Sequence, residues 1–400
     1  MMKSLQIGWV DYSKEHRSKV MSVLDLLNEK GAVDELGIGM IRDGFGDVLF
    51  PGTSTIQTRA KYHFIIPYIM MELEKETFST VDGFLEALAE KELDIVELFS
   101  NSNEDGVIGQ RAGRSLKRRP SSIYWNALQT FEIFKYPNIS QNNYAKMAIE
   151  KSKNIKAAKN YGLEDSAEHK SMVHGSSYDF WNCPIPDPNW KHDLTMSLNE
   201  EEAKHLKERI ITSPYSSESL MAFILNQDSG LLRRIESFDQ IGEVYDLPPD
   251  LKQWYDKAYN MSLFLEGANI RYNYLLSNKE NDKAYSEWRR WLSDDFVKYE
   301  FSEFNFKEIL VDLKISNYKL RNFLESWQTV VTRGLEEEID ELILKREIQL
   351  KTKERAKLYN TKYYGYEAGT WLGAQRLSYR FKDTKTILLD IFDGLEGEHD

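Results

Sequence analysis

The residues of this sequence best equipped for chemistry are cations, and they are gathered in one stretch. Between Gly106 and Lys159 stand eleven bases: Arg111, Arg114, Lys117, Arg118, Arg119, Lys135, Lys146, Lys151, Lys153, Lys156 and Lys159. Only two acids, Glu132 and Glu150, accompany them. The stretch carries +9, which leaves −21 on the rest of a chain whose total is −12. A net negative chain is a poor indiscriminate nucleic-acid binder, so the asymmetry carries more meaning than the sum. Phosphate is the ligand such a segment suits, because each Lys or Arg that neutralises one releases a condensed counterion.

Residues 105–135 are expected to form a helix-turn-helix-like unit. A short helix over 107–117 would set Arg111, Arg114 and Arg118 on one side by their spacing of three and four. Pro120 breaks it, and Ser121 or Ser122 caps a second helix that turns Ile123, Leu128 and Phe131 inward. Arg111, Arg114, Lys117, Arg118, Arg119 and Ser121 would then grip phosphates. Asn126 would read a base edge, and Tyr124 or Trp125 would stack on an unpaired base. The plainer reading makes the arginines a solvated or internally paired face and the two aromatic residues core.

A second group lies nearer the start. Asp43 and Asp47 fall one helical turn apart after Arg42, and Arg59 follows the string Pro51-Gly52-Thr53-Ser54-Thr55. Ser54 and Gln57 fit a capping box that opens a helix, whose N-terminal amides would suit an anion. Two carboxylates on one face also suit a divalent ion. The favoured expectation is structural, with Arg59 reaching back to the aspartates. His169, His174, Cys183 and His192 provide four zinc-type ligands, yet their irregular spacing matches no finger or knuckle. No metal and no cofactor is expected. Asp340, Glu341 and Lys345 have a nuclease-like order, but a charged helix face explains them better. Phosphate-binding loops, dinucleotide glycine fingerprints, nucleophile elbows and zinc-protease motifs are all missing.

The elements that must position these groups read as helices. Apolar residues at helical spacing predict helices near residues 20–27, 35–48 and 84–96, then at 219–225, 250–276, 282–297, 317–331, 335–357 and 384–392. Ser197 and Glu200 fit another capping box. Residues 5–10 are the best strand signal, so the fold is expected to be mainly α with few short strands. Three prolines at 184, 186 and 188 suggest a linker over 173–196 between a helical domain at 1–172 and another at 197–400. The latter ends in an acidic run, Asp390, Asp393, Glu396, Glu398 and Asp400, and would dock a protein partner.

With 41% hydrophobic residues and 9 Trp, 22 Tyr and 19 Phe, the chain has ample material for a core. The single cysteine allows no internal disulfide and fits a reducing, cytoplasmic compartment. The most apolar run, Phe64 to Met71, is eight residues long. A helical membrane span needs about 20. No membrane association and no secretory leader are expected.

Several strings resemble a bacterial family catalogued as domain of unknown function 6361. They are Ile7-Gly8-Trp9-Val10-Asp11-Tyr12, Asp34-Glu35-Leu36-Gly37, Arg42-Asp43, Phe50 to Tyr62, and Arg118 to Asn126. The resemblance implies a bacterial setting near mobile-element or phage-defence genes, and it transfers no catalytic residue. Together these readings favour a non-catalytic nucleic-acid-binding accessory subunit of a defence or DNA-transaction complex, with DNA and RNA both open. A protein-interaction scaffold and a metal-dependent nuclease or phosphodiesterase built on Asp43 and Asp47 stand as alternatives.

Overall fold

The computed structural model describes residues 34–100, 102–160, 180–192, 194–360, 371–373 and 376–397, with side chains 157–160 excepted. The expected helix at 20–27 and strand at 5–10 lie outside them. Among the described residues the fold is mainly α. The nearest thing to a sheet there is an isolated antiparallel bridge between Phe134 and Trp181.

The chain divides into two compact units, each discontinuous in sequence. One comprises 1–42 with 257–377, the other 43–256 with 378–400. The boundary expected across 173–196 is therefore displaced. Residues 197–256 and the chain's last helix group with the N-terminal half, because the apolar faces of that helix and of the helix after residue 199 pack together.

In the second unit, α1 (Gly39–Leu49), whose first residues belong to the other unit, is followed by α2 (Tyr62–Glu74), α3 (Val81–Leu98), α4 (Pro120–Thr130) and α5 (Gln141–Asn160). After them come α6 (Glu200–Thr212), α7 (Leu220–Leu225), α8 (Ser229–Arg234) and α9 (Ile241–Val244). The core is organised on α2, whose residues from Tyr62 through Met71 are all buried. A helix apolar on every side must be wrapped by others, and α3, α4 and α5 do so. Thr80 caps α3 by accepting the Gly83 N–H at 3.1 Å, and Phe84, Leu88 and Val96 point inward as their spacing predicts. The capping box of α6 forms two residues later than expected. Asn199 and Glu202 exchange the bonds at 2.9 and 3.1 Å, and Glu202 also takes the Lys61 ammonium at 2.6 Å.

In the first unit, α10 (Pro249–Leu276) enters at residue 257 and is followed by α11 (Asp282–Leu292), α12 (Phe306–Asp312), α13 (Tyr318–Arg333) and α14 (Glu336–Lys351). Three tryptophans form its centre. Trp288 and Trp291 stack at 5.1 Å between centroids, and Trp291 meets Trp327 at 5.8 Å. Gly267 on α10 makes room, since a Cβ there would sit 2.5 Å from the Trp291 ring. Arg271, fully buried, is held by Asp340 and Glu336 and lies over Trp288 at 5.0 Å. Arg346 anchors the strap before α1 by donating to the Leu36 carbonyl at 2.8 Å. The second unit closes with α15 (Phe381–Glu396), which packs along α6 and α8. Gly394 allows the close approach, as its Cβ would fall 2.8 Å from that of Ala203.

Candidate nucleic-acid interface

The first helix expected in the basic segment does not form. Residues 106–112 run through turns into a single 3-10 turn at Gly113–Ser115. Gly106, Gly109 and Gly113 hold φ of +77°, +88° and +51°, a left-handed region closed to a right-handed helix. Crowding explains the choice at two of them. A Cβ at Gly106 would meet the Arg59 Cγ at 2.6 Å, and one at Gly109 the Leu116 Cδ2 at the same distance. Buried Val107 and Ile108 pin the loop down, and the Ile108 N–H donates to the Tyr62 hydroxyl at 2.8 Å. The second helix does form. Pro120 opens it rather than ending its predecessor, because an N1 proline gives up an amide that has no helical partner anyway.

The basic side chains then divide. Arg111 and Lys117 are exposed, and no ion pair joins either to a described carboxylate. Lys146 and Lys153 on α5 are also exposed. Arg118 and Arg119 are half-buried, and Arg119 Nη1 donates to the Leu116 carbonyl at 2.6 Å. Arg114 turns onto α3, where Glu97 lies at 3.1 Å and Glu90 and Asp94 at 3.5 Å each. Exposed carboxylates of the chain therefore compete with phosphate for its charge.

Two further expectations change for the same reason, burial. Ser121 is 3% exposed, and its N–H and hydroxyl both go to Glu92, at 2.6 and 3.1 Å. Tyr124 is fully buried; its hydroxyl accepts the Thr58 and Arg59 amides and donates to the Arg59 carbonyl at 2.8 Å. Burial raises its pKa well above that of a free tyrosine. Neither residue is available to a nucleotide. Trp125 is half-buried among Phe134, Tyr144 and Trp181 and donates to the Ile139 carbonyl at 2.7 Å. Asn126 is exposed on α4.

Sequence reasoning missed Glu92. It is an acid on a charged helix, and its inward direction shows only in its register with Leu88 and Val96. Burial pushes its carboxyl up to about 7, against the pull of the two Ser121 bonds and nearby Arg119.

The second candidate group also sits in the 43–256 and 378–400 unit, with its partners exchanged. Asp43 and Asp47 do share a face of α1, but the cation between them is Arg380, at 3.6 and 2.7 Å. Arg380 also donates to the Thr53 carbonyl at 2.9 Å. Arg59 points away from the aspartates, and its Nε bonds both oxygens of Asp390 at 3.0 Å. Asp390 further accepts the Ala60 N–H at 2.7 Å. Ser54 and Gln57 make part of the expected bonding, with the Gln57 carboxamide accepting the Ser54 N–H at 3.2 Å, yet they close a turn. The helix waits until Tyr62. Arg42 is half-buried at the other side of the unit boundary.

In the acidic run that ends the domain expected to dock a partner, three residues have partners in their own unit, and Glu398 and Asp400 lie outside the described residues. Asp390 holds Arg59, while Asp393 and Glu396 take Arg233 at 2.6 and 3.0 Å. Of the His/Cys group, His169 and His174 lie outside the described residues. Cys183 is half-buried, with its thiol pKa pushed well up by desolvation, and His192 is exposed. Among the described residues no three His, Cys, Asp or Glu gather as metal ligands would. Asp340 binds Arg271 and Lys279, and Lys345 pairs with Glu341, so both have structural partners. No helix of the described residues is long and apolar enough to cross a membrane.

Among known proteins, no curated protein and no solved structure matches this chain. A family model does match, over residues 4–287, which spans the basic loop, Glu92 and the Arg59 turn alike. The chain therefore belongs to DUF6361, a family of unknown function.

Proposed function

We propose that this protein is a non-catalytic accessory component that binds nucleic acid through the loop before α4. The observation that carries the reading is the outward presentation of Arg111 and Lys117, exposed and unmatched by any described carboxylate, beside half-buried Arg118 and Arg119. Asn126, exposed on the adjoining helix, is the base-reading candidate. Ser121 and Tyr124 belong to the framework beneath, while Arg114 is exposed and turned to α3.

Fluorescence anisotropy with a DNA duplex and a single-stranded RNA, each at two salt concentrations, tests it. Binding should weaken steeply with salt, and each of Arg111→Ala and Lys117→Ala should reduce the logarithmic salt slope by about 1. Affinity that is absent, or indifferent to both substitutions, overturns the proposal.

A second reading, a protein-interaction scaffold, is favoured by one contact: Arg114 among Glu90, Asp94 and Glu97. There part of the basic stretch neutralises the chain's own acids. It predicts no salt-sensitive nucleic-acid affinity and stable co-purification with a protein encoded nearby. The nuclease alternative gains no support from Asp43 and Asp47, whose shared face is filled by the Arg380 guanidinium.

A further inference from the structure

The rings of Trp125, Phe134, Tyr136, Tyr144, Phe180 and Trp181 form one cluster in the 43–256 and 378–400 unit, with neighbouring centroids 4.9–6.3 Å apart. Four of these rings are buried and Trp125 is half-buried. The one that reaches the surface is Tyr136, 39% exposed, set against Phe134 at 5.8 Å and Phe180 at 6.0 Å.

An exposed tyrosine is ordinary in itself. This one sits on a loop held at both ends. The Lys135 N–H donates to the Phe180 carbonyl at 2.9 Å, beside the Phe134–Trp181 bridge. Asn138 turns the chain at φ +59°, and α4 then takes hold of Ile139. The Ile139 N–H donates to Gln129 Oε1 at 2.9 Å, and its carbonyl accepts Trp125 Nε1 at 2.7 Å. A ring fixed in this way has little freedom left to lose on binding.

Cations accompany it. Lys135 is exposed, and Lys151 Nζ stands 5.3 Å from the centroid of Phe180, the ring on which Tyr136 rests. From Lys135 to Lys156 the sequence has five lysines and one acid, Glu150. The loop also adjoins the interface proposed above, because Trp125 and Gln129, which hold it, bracket Asn126. Ser122 and Asn126 are exposed and Gln129 is half-buried, at spacings of four and three. A polar stripe thus runs along α4 from the Lys117–Arg119 segment toward Tyr136. A helix of 11 residues covers about 16 Å.

We propose that Tyr136 is a stacking platform for an unpaired base, and that the nucleic acid this protein takes is a single strand lying along α4 between the Arg111–Arg119 loop and Lys135. The inference rests on the nucleic-acid reading above and narrows it. Bases within a duplex have both faces covered by their neighbours. A single strand leaves those faces open to an aromatic ring, while cations follow its backbone. DNA and RNA strands share this chemistry and differ at the 2′-hydroxyl.

Fluorescence anisotropy of the full-length protein at one fixed salt concentration tests it with three probes. They are an oligodeoxyuridine of about 16 nucleotides, the matching oligouridine, and the oligodeoxyuridine annealed to oligodeoxyadenosine. Wild type should bind at least one single strand more tightly than the duplex, and the tighter of the two strands separates DNA from RNA. Tyr136→Ala should weaken that strand about tenfold and the duplex by less than about twofold. Tyr136→Trp should keep the affinity. Tyr136→Leu leaves an apolar cover over Phe134 and Phe180 but no aromatic face, so it should lose the affinity, and it serves if the alanine variant does not fold. A duplex bound as tightly as the strands, or a leucine variant that binds like wild type, overturns the platform. Wild type that binds none of the probes defeats the underlying reading as well. Affinity that falls with Arg111→Ala but not with Tyr136→Ala defeats the platform alone.

Discussion

Arg59 Nε lies 3.0 Å from both carboxylate oxygens of Asp390, a residue 331 positions later in the chain. This pair ties the turn before α2 to α15, and Asp390 adds the Ala60 N–H to the same joint. The carboxylate is 6% exposed and the guanidinium 20%, so water screens the pair only in part. Removing one partner of a buried pair strands the other. Asp390→Asn should cost about 3 kcal/mol, toward the low end for buried pairs because Arg59 keeps some solvent contact. The urea midpoint measures it, and a shift equivalent to less than about 0.5 kcal/mol would contradict the joint.

Arg114 presents the opposite case. Its side chain is 49% exposed and each of its three acidic partners more than half so, in high dielectric where ion pairs contribute little. Arg114→Ala should therefore change stability by at most about 1 kcal/mol. In the binding assay it should also leave nucleic-acid affinity nearly unchanged, unlike Lys117→Ala. A loss from Arg114→Ala that matches Lys117→Ala would show the arginine leaving α3 to reach the ligand.

His63 supplies a pH signature on the acid side. It is fully buried against Tyr124 and Phe131, its Nδ1 meets the Ala60 carbonyl at 2.8 Å, and desolvation lowers its pKa to about 4. The unfolded chain, with an ordinary imidazole near 6.5, binds the proton first. The stability it contributes is thus present above about pH 6.5 and is lost as pH falls toward 4, by about 3 kcal/mol in all. Comparing denaturation curves of wild type and His63→Phe across that window should show the variant with the shallower slope. Equal slopes would mean that His63 titrates alike in both states.

The Gly267 position tests the tryptophan core. Gly267→Ala would drive a methyl group to within 2.5 Å of Trp291 unless the ring moves. Overpacking of this kind costs about 1–3 kcal/mol. The near-ultraviolet circular dichroism of the stacked Trp288–Trp291 pair should change with it. An alanine variant as stable as the wild type would show slack around the ring.

Local signals in the sequence were mostly legible. Asn317 heads α13 by accepting the Leu320 N–H at 3.1 Å, Ser219 caps α7, and the inward register of α3 follows from Phe84, Leu88 and Val96. Near-matches misled where two overlapping patterns fit. Ser197 with Glu200 and Asn199 with Glu202 both satisfy the capping rule, and the distant contacts of Lys61 and the Tyr68 hydroxyl to Glu202 go with the second. Helical spacing of Arg111, Arg114 and Arg118 was overridden by glycines at positive φ, two of them packed closely against the Arg59 and Leu116 side chains. The partners of the second group were beyond reach for a related reason. Nothing near Asp47 announces Arg380, and nothing near Arg59 announces Asp390, because such pairings exist only once distant helices have packed.

The salt dependence of nucleic-acid binding by the double variant Arg111→Ala with Lys117→Ala bears most directly on function. Wild-type affinity should fall steeply as salt rises, and the variant should bind more weakly with a slope shallower by about 2. Superimposable titrations of the two proteins would contradict an interface at this loop.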